Sequence, residues 1–195
     1  MRWSKLKKQL EDFVCPCLKG RVEFWITNYR KAHDRMGRAY ITVDGKEVVN
    51  MCSIKKEIAI YNAEKELKDS KNVNLDQDGF EQDRMYELLR REGFSEDTLS
   101  WIAENRKINR MAHKKVEEED VFSQYDFLEA VEKFLNSSIE ESLKSDNSIV
   151  KALALIDRRV GKRTLNMLKE SIEQESELVR YFYSLRCQAE QIEQI

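Results

Sequence analysis

The chain has 195 residues, 41% hydrophobic and 36% charged, enough to bury a core beneath a heavily solvated surface. A formal net charge of −2 points to neither a nucleic-acid binder nor an acidic tail. No run approaches the roughly 20 apolar residues that cross a bilayer, and the charged opening MRWSKLKKQLEDF lacks the apolar stretch of a secretory leader, so a cytoplasmic location is expected, with Cys15, Cys17, Cys52 and Cys187 as free thiols.

Trp3, Leu6, Leu10, Phe13 and Val14 recur at three- and four-residue spacing and predict an amphipathic helix, ended by Pro16 and closed off by Gly20. The period then changes to two. Val22, Phe24 and Ile26 alternate with Glu23, Trp25 and Thr27. Further on, Tyr40, Thr42 and Glu47 interleave with Ile41, Val43 and Val48 around Asp44-Gly45, a hairpin dipeptide. Residues 21–51 therefore read as a three-stranded antiparallel meander packed on the first helix, its first two strands joined by the polar segment KAHDRMG.

Beyond Ser53 the pattern is almost entirely helical. IKKEIAIYNAEKELKD is one helix, KNVNLDQDGF a loop, and EQDRMYELLRREG a second helix stopped at Gly93. Ser95 caps a third, whose C-terminal half is charged on all sides and is expected to stand partly free of the core. Ser123 caps a fourth, with Phe127, Leu128, Val131, Phe134 and Leu135 on one face. At one fixed offset, Ile149, Val150, Lys151, Leu153 and Ile156 fall on Leu178, Val179, Arg180, Phe182 and Leu185. Each unit reads as a short helix, a polar turn and a longer helix, and is similar to the helix pairs of HEAT-like solenoids. The fold class that follows is α+β: an N-terminal helix and three-stranded meander over residues 1–72, then a helical body over 73–195 ending in two HEAT-like hairpins. Nothing in these periodicities separates the core of the body from that of the head.

SIVKALALIDRRVGKRTL is the most patterned stretch, and its charged cluster asks for an explanation. Ile149, Leu153 and Ile156 share a face, so Arg158 and Arg159 fall where cations complement the negative end of a helix dipole. Gly161 is expected at positive φ as the helix stop, Lys162 and Arg163 in a mobile linker, and Asp157 beside a cation, as on the neighbouring hairpin. A structural role thus accounts for the cluster. An arginine-rich turn could also grip a phosphate or a partner's carboxylates.

Motifs that carry chemistry are sparse. There is no glycine-rich phosphate loop, nucleophile elbow or paired-histidine zinc helix. His33-Asp34 has no evident nucleophile nearby. Cys15, Cys17, His33 and Cys52 could in principle ligate zinc, but one residue separates the first two, where structural zinc sites use two to four. Asp44, Lys46, Glu11 and Glu23 invite comparison with metal-dependent nucleases, although Asp-Gly is what the hairpin itself requires. The charge is also split. Residues 1–50 hold eleven Lys/Arg against six Asp/Glu, while the remainder is acidic. Aromatic residues interleave with Arg30, Lys31, Arg35 and Arg38 in that basic head, a combination used to stack single-stranded nucleic acids.

The segments MRWSKLKKQLE, KGRVEFW, YITVDGKEV, IDRRVGKRTL and SLRCQAE together resemble an uncharacterised family of bacterial proteins with no assigned function. The resemblance implies a bacterial intracellular protein and brings no site residues with it. The residues themselves lean against an enzyme and a cofactor. They favour an interaction protein, inhibitor-like or immunity-like, that presents Arg30, Lys31, Arg35, Arg38, Arg158, Arg159, Lys162 and Arg163 to a macromolecule. A protein partner is the leading expectation. The alternative is a nucleic-acid-binding or nuclease-like head.

Overall fold

The computed structural model describes residues 2–29, 36–70 and 84–192. Arg30, Lys31, His33, Asp34 and Arg35 lie outside them, as does the loop expected at 71–80. The described chain falls into two compact units, residues 1–56 with 119–195, and residues 57–118.

The first unit begins with α1 (Trp3–Phe13), which buries Leu6 and Leu10 and ends three residues before Pro16. Three strands follow, β1 (Val22–Asn28), β2 (Gly37–Val43) and β3 (Lys46–Cys52), paired antiparallel in the order β1-β2-β3. Asp44 and Gly45 both take positive φ, 51° and 77°, as a tight hairpin between right-twisted strands demands. The strands alternate as expected, with one difference. A bulge pairs Ile41 with Val49 and Thr42 with Glu47, so Val48 is pushed outward and Val49 and Met51 continue the inner face.

That inner face is covered by a helix from the far end of the chain, α5 (Gln124–Asn136), which packs on β2 and β3, while α7 (Ser148–Leu155) packs on α5 and α9 (Glu177–Glu190) on α7. Their Phe127, Phe134, Leu153 and Phe182 join Leu6, Phe24 and Ile41 in one buried cluster. Phe24 stacks on Phe127 at 6.4 Å, and Phe13 meets Phe134 edge-on at 5.8 Å. Ser123 caps α5 as expected, with Asp126 completing a reciprocal capping box. The short helices α6 (Ile139–Leu143) and α8 (Lys162–Leu168) precede α7 and α9. Asn147 caps α7 and Ser176 caps α9. Leu155, Val160, Leu165, Val179 and Cys187 form a second apolar cluster.

The other unit holds most of α2 (Ser53–Ser70), with α3 (Arg84–Arg91) and α4 (Glu96–Glu118). Gly93, at φ 86°, terminates α3, and Ser95 accepts the Thr98 N–H at 3.3 Å to cap α4. The expectation for the second half of α4 is corrected. Ile108, Ala112 and Val116, four apart on a single stripe, are buried. One apolar side chain per turn is enough to seat a helix whose other faces are charged.

Candidate functional site

Two surfaces hold the described candidate residues. The first is the outer face of the sheet. Because strand side chains alternate, burying Phe24, Ala39 and Ile41 turns Trp25, Arg38 and Tyr40 outward. Trp25 and Tyr40 are direct cross-strand partners, their rings nearly parallel at 13° and 6.2 Å apart. Lys7 of α1 lies over the Trp25 ring at 3.9 Å, and the Arg38 guanidinium over Tyr40 at 4.4 Å. The result is a ladder of cation, ring, ring, cation. Trp25 Nε1 donates to Thr42 Oγ1 at 3.3 Å, which fixes the indole, yet Trp25 remains 38% exposed. Arg38 also donates to Glu47 at 3.1 Å. Sequence reasoning picked out Arg38 and the two rings. It missed Lys7, whose place over Trp25 depends on how α1 packs beside β1.

The second surface is the Asp157–Arg163 turn, and here several expectations are corrected. Helix α7 ends at Leu155, so Arg158 and Arg159 lie beyond it and do not cap its carbonyls. The turn docks on the end of α1 instead. Arg158 N–H donates to the Phe13 carbonyl and Cys15 N–H to the Ile156 carbonyl, both at 2.8 Å. Asp157 is buried, and its carboxylate is gripped by Arg159 of the same turn through Nε at 3.0 Å and Nη2 at 2.7 Å. The Arg159 guanidinium also covers the Phe13 ring at 4.4 Å. Gly161 has φ −94°, not a positive value, because it serves as the N-cap residue of α8 rather than the stop of α7. Lys162 is the first residue of α8, and its Nζ donates to the Glu190 carbonyl at 2.9 Å. Arg163, the next residue, is exposed.

The carbonyls of the turn are capped from another element. Arg186, 3% exposed on α9, donates to the Asp157 carbonyl at 2.9 Å and the Val160 carbonyl at 2.7 Å, and pairs with Glu190 at 3.2 Å. Nothing in the local spacing of SLRCQAE signals this, because the partners lie more than twenty residues upstream.

The residues considered for metal or nuclease chemistry are placed as follows. Asp44 forms a bidentate pair with Arg21, at 2.8 Å on each oxygen, which holds its carboxyl below the usual carboxylate range. Glu11, Lys19 and Glu23 line a small surface pocket of about 280 Å³. Cys52 meets the Tyr29 hydroxyl at 3.4 Å. Among the described residues no group of three or more His, Cys, Asp or Glu side chains gathers as a metal site. Among them, too, no helix is long and apolar enough to cross a membrane.

Residues 2–187 match the SF0329 protein family. The chain belongs to the SF0329 protein family. The match takes in α1, the meander, the Asp157–Arg163 turn and most of α9, so this SF0329 chain carries both candidate surfaces inside the family region. No curated protein and no solved structure matches it.

Proposed function

We propose that this SF0329 protein is a non-enzymatic binding protein of the bacterial cytoplasm, inhibitor-like or immunity-like, whose outer sheet face takes a carboxylate-bearing segment of a protein partner. The observation that carries the reading is the half-buried ladder of Lys7, Tyr40 and Arg38 around the exposed Trp25, on a sheet whose opposite face is sealed by the core. Rigid aromatic rings flanked by cations supply both parts of a protein hot spot, apolar area and charge-assisted hydrogen bonds. A carboxylate reaching Arg38 competes with Glu47, at a site that is one-third exposed on each side. The basic balance of residues 1–50 supports an acidic partner through long-range attraction.

The same geometry favours a protein over single-stranded nucleic acid. Base stacking uses free ring faces, and here Trp25 and Tyr40 each already carry a cation over the ring. Titration of the full chain with a poly-glutamate peptide and, separately, with a single-stranded oligothymidylate tests the reading, followed by the tryptophan emission lost in Trp25→Phe. Peptide binding that weakens with salt and disappears in Lys7→Glu/Arg38→Glu is expected. Binding of the oligonucleotide alone would replace the protein reading with the nucleic-acid one.

A further inference from the structure

Cys15 and Cys17 flank Pro16 in a tight turn closed by the Leu18 N–H on the Cys15 carbonyl at 3.0 Å. Proline presets the backbone at the second position of such a turn, and the turn curls both thiols to one side. Their sulfurs lie 3.0 Å apart. Cys15 is fully buried and Cys17 half-buried, so only one of the two is open to a reagent. Cys17 Sγ also lies 3.5 Å from Glu190 Oε1, the carboxylate that Arg186 holds in place. Cys52 lies against Tyr29, and Cys187 is buried.

We infer that Cys15 and Cys17 are a two-electron redox pair, oxidised by low-molecular-weight disulfides to an internal disulfide through attack by Cys17. In the first step the Cys17 thiolate attacks one sulfur of the small disulfide. A bond forms between Cys17 and that half of the reagent, and the other half leaves as a thiolate that takes up a proton. In the second step the Cys15 sulfur, having lost its proton to solvent, attacks Cys17 Sγ and expels the remaining half as thiol. The two cysteines lose two electrons and two protons, and the reagent gains them as two free thiols. The sulfurs need to approach by only about 1 Å to reach the roughly 2.05 Å of a disulfide. A bond closing so small a ring is strained, which makes it readily reversible by thiols.

Reactivity is held low in the resting protein. Burial, followed by the hydrogen bond with Cys15 and the Cys15 and Glu190 charges, pushes the Cys17 thiol up to about 12, against the opposing pull of Arg186. The thiolate fraction, and with it the rate, should climb about tenfold per pH unit through the neutral range. Glu190 acts as a brake, a positioning residue that works through the thiol's charge. Removing its charge should lower the thiol's pKa and speed the reaction.

The test uses the full chain incubated with oxidised glutathione, then alkylated and digested with trypsin. The peptide spanning residues 9–19 holds both cysteines. It should lose two hydrogens and resist alkylation until dithiothreitol is added, while Cys52 and Cys187 remain alkylated throughout. Cys15→Ser should halt at a glutathione adduct on Cys17, and Cys17→Ser should leave Cys15 untouched. Glu190→Gln should raise the initial rate severalfold and shift the pH–rate profile to lower pH. A stable adduct in the unaltered chain, linkage to Cys52 or Cys187, or attack at Cys15 in the Cys17→Ser variant would overturn the inference, and the unaltered chain decides it even if a variant fails to fold. A rate unchanged in Glu190→Gln would remove the brake.

Discussion

At the scale of single residues, Arg186 shows how one buried cation can organise a turn. Its guanidinium reaches the carbonyl of Val160 and that of Asp157, which also accepts the Val160 N–H at 3.1 Å, and Glu190 balances its charge. Arg186→Met keeps the aliphatic bulk and removes every donor. It should lower the unfolding free energy by about 3 kcal/mol in urea melts, within the range for breaking a buried ion pair. A change as small as that of a surface substitution would show that solvent reaches those carbonyls. Glycines give a second contrast. A Cβ on Gly37 would overlap Gln124 Oε1 and the Thr27 carbonyl, whereas one on Gly161 would meet open space. Gly37→Ala should therefore cost on the order of 1–3 kcal/mol, as overpacking does. Gly161→Ser, at an N-cap, should be neutral or stabilising by a few tenths of a kcal/mol.

At the scale of elements, the caps set where the C-terminal helices begin. Ser123 with Asp126, and Ser138 with Glu141, form reciprocal capping boxes. Ser123→Ala should cost roughly 1 kcal/mol in melting experiments. The Glu141 carboxyl is held below its ordinary range by the backbone N–H of Ser138, followed by the Ser138 hydroxyl. A carboxyl depressed in the folded state stabilises the protein above its unfolded pKa, and the contribution disappears as pH falls through the folded value. The stability difference between the parent and Glu141→Gln should accordingly shrink as the pH is lowered from about 6 to about 3, the span in which carboxylates titrate. The start of α5 was legible in advance because Ser123 precedes an apolar run. The start of α8 was not. Glycine at position 161 reads equally well as a helix stop, and only the docking of the preceding turn on α1 makes it a start.

At the scale of the whole chain, the meander and the C-terminal helices share one apolar core. Phe127, Phe134, Leu153 and Phe182 are buried in one cluster with Leu6, Phe24 and Ile41. Residues 1–72 expressed alone should therefore fail to give a dispersed amide NMR spectrum, and Leu153→Ala in the full chain should cost roughly 2–5 kcal/mol. The sequence by itself determined the first helix, the meander with its Asp44-Gly45 turn, and the helical character of nearly all that follows. Those signals are periodicities and turn dipeptides, which act over a few residues. It also marked Arg38 as a surface candidate, in a basic head where aromatic residues interleave with cations. Tertiary structure alone decided that Lys7 lies over Trp25, that Val48 bulges outward, and that the Asp157–Arg163 turn is clamped by Arg186 and set against Cys15. Those contacts join segments far apart in the chain. Which cation reaches which carbonyl depends on how closely α1, α7 and α9 pack, and that distance is set by the volumes of the side chains between them rather than by any spacing along the sequence.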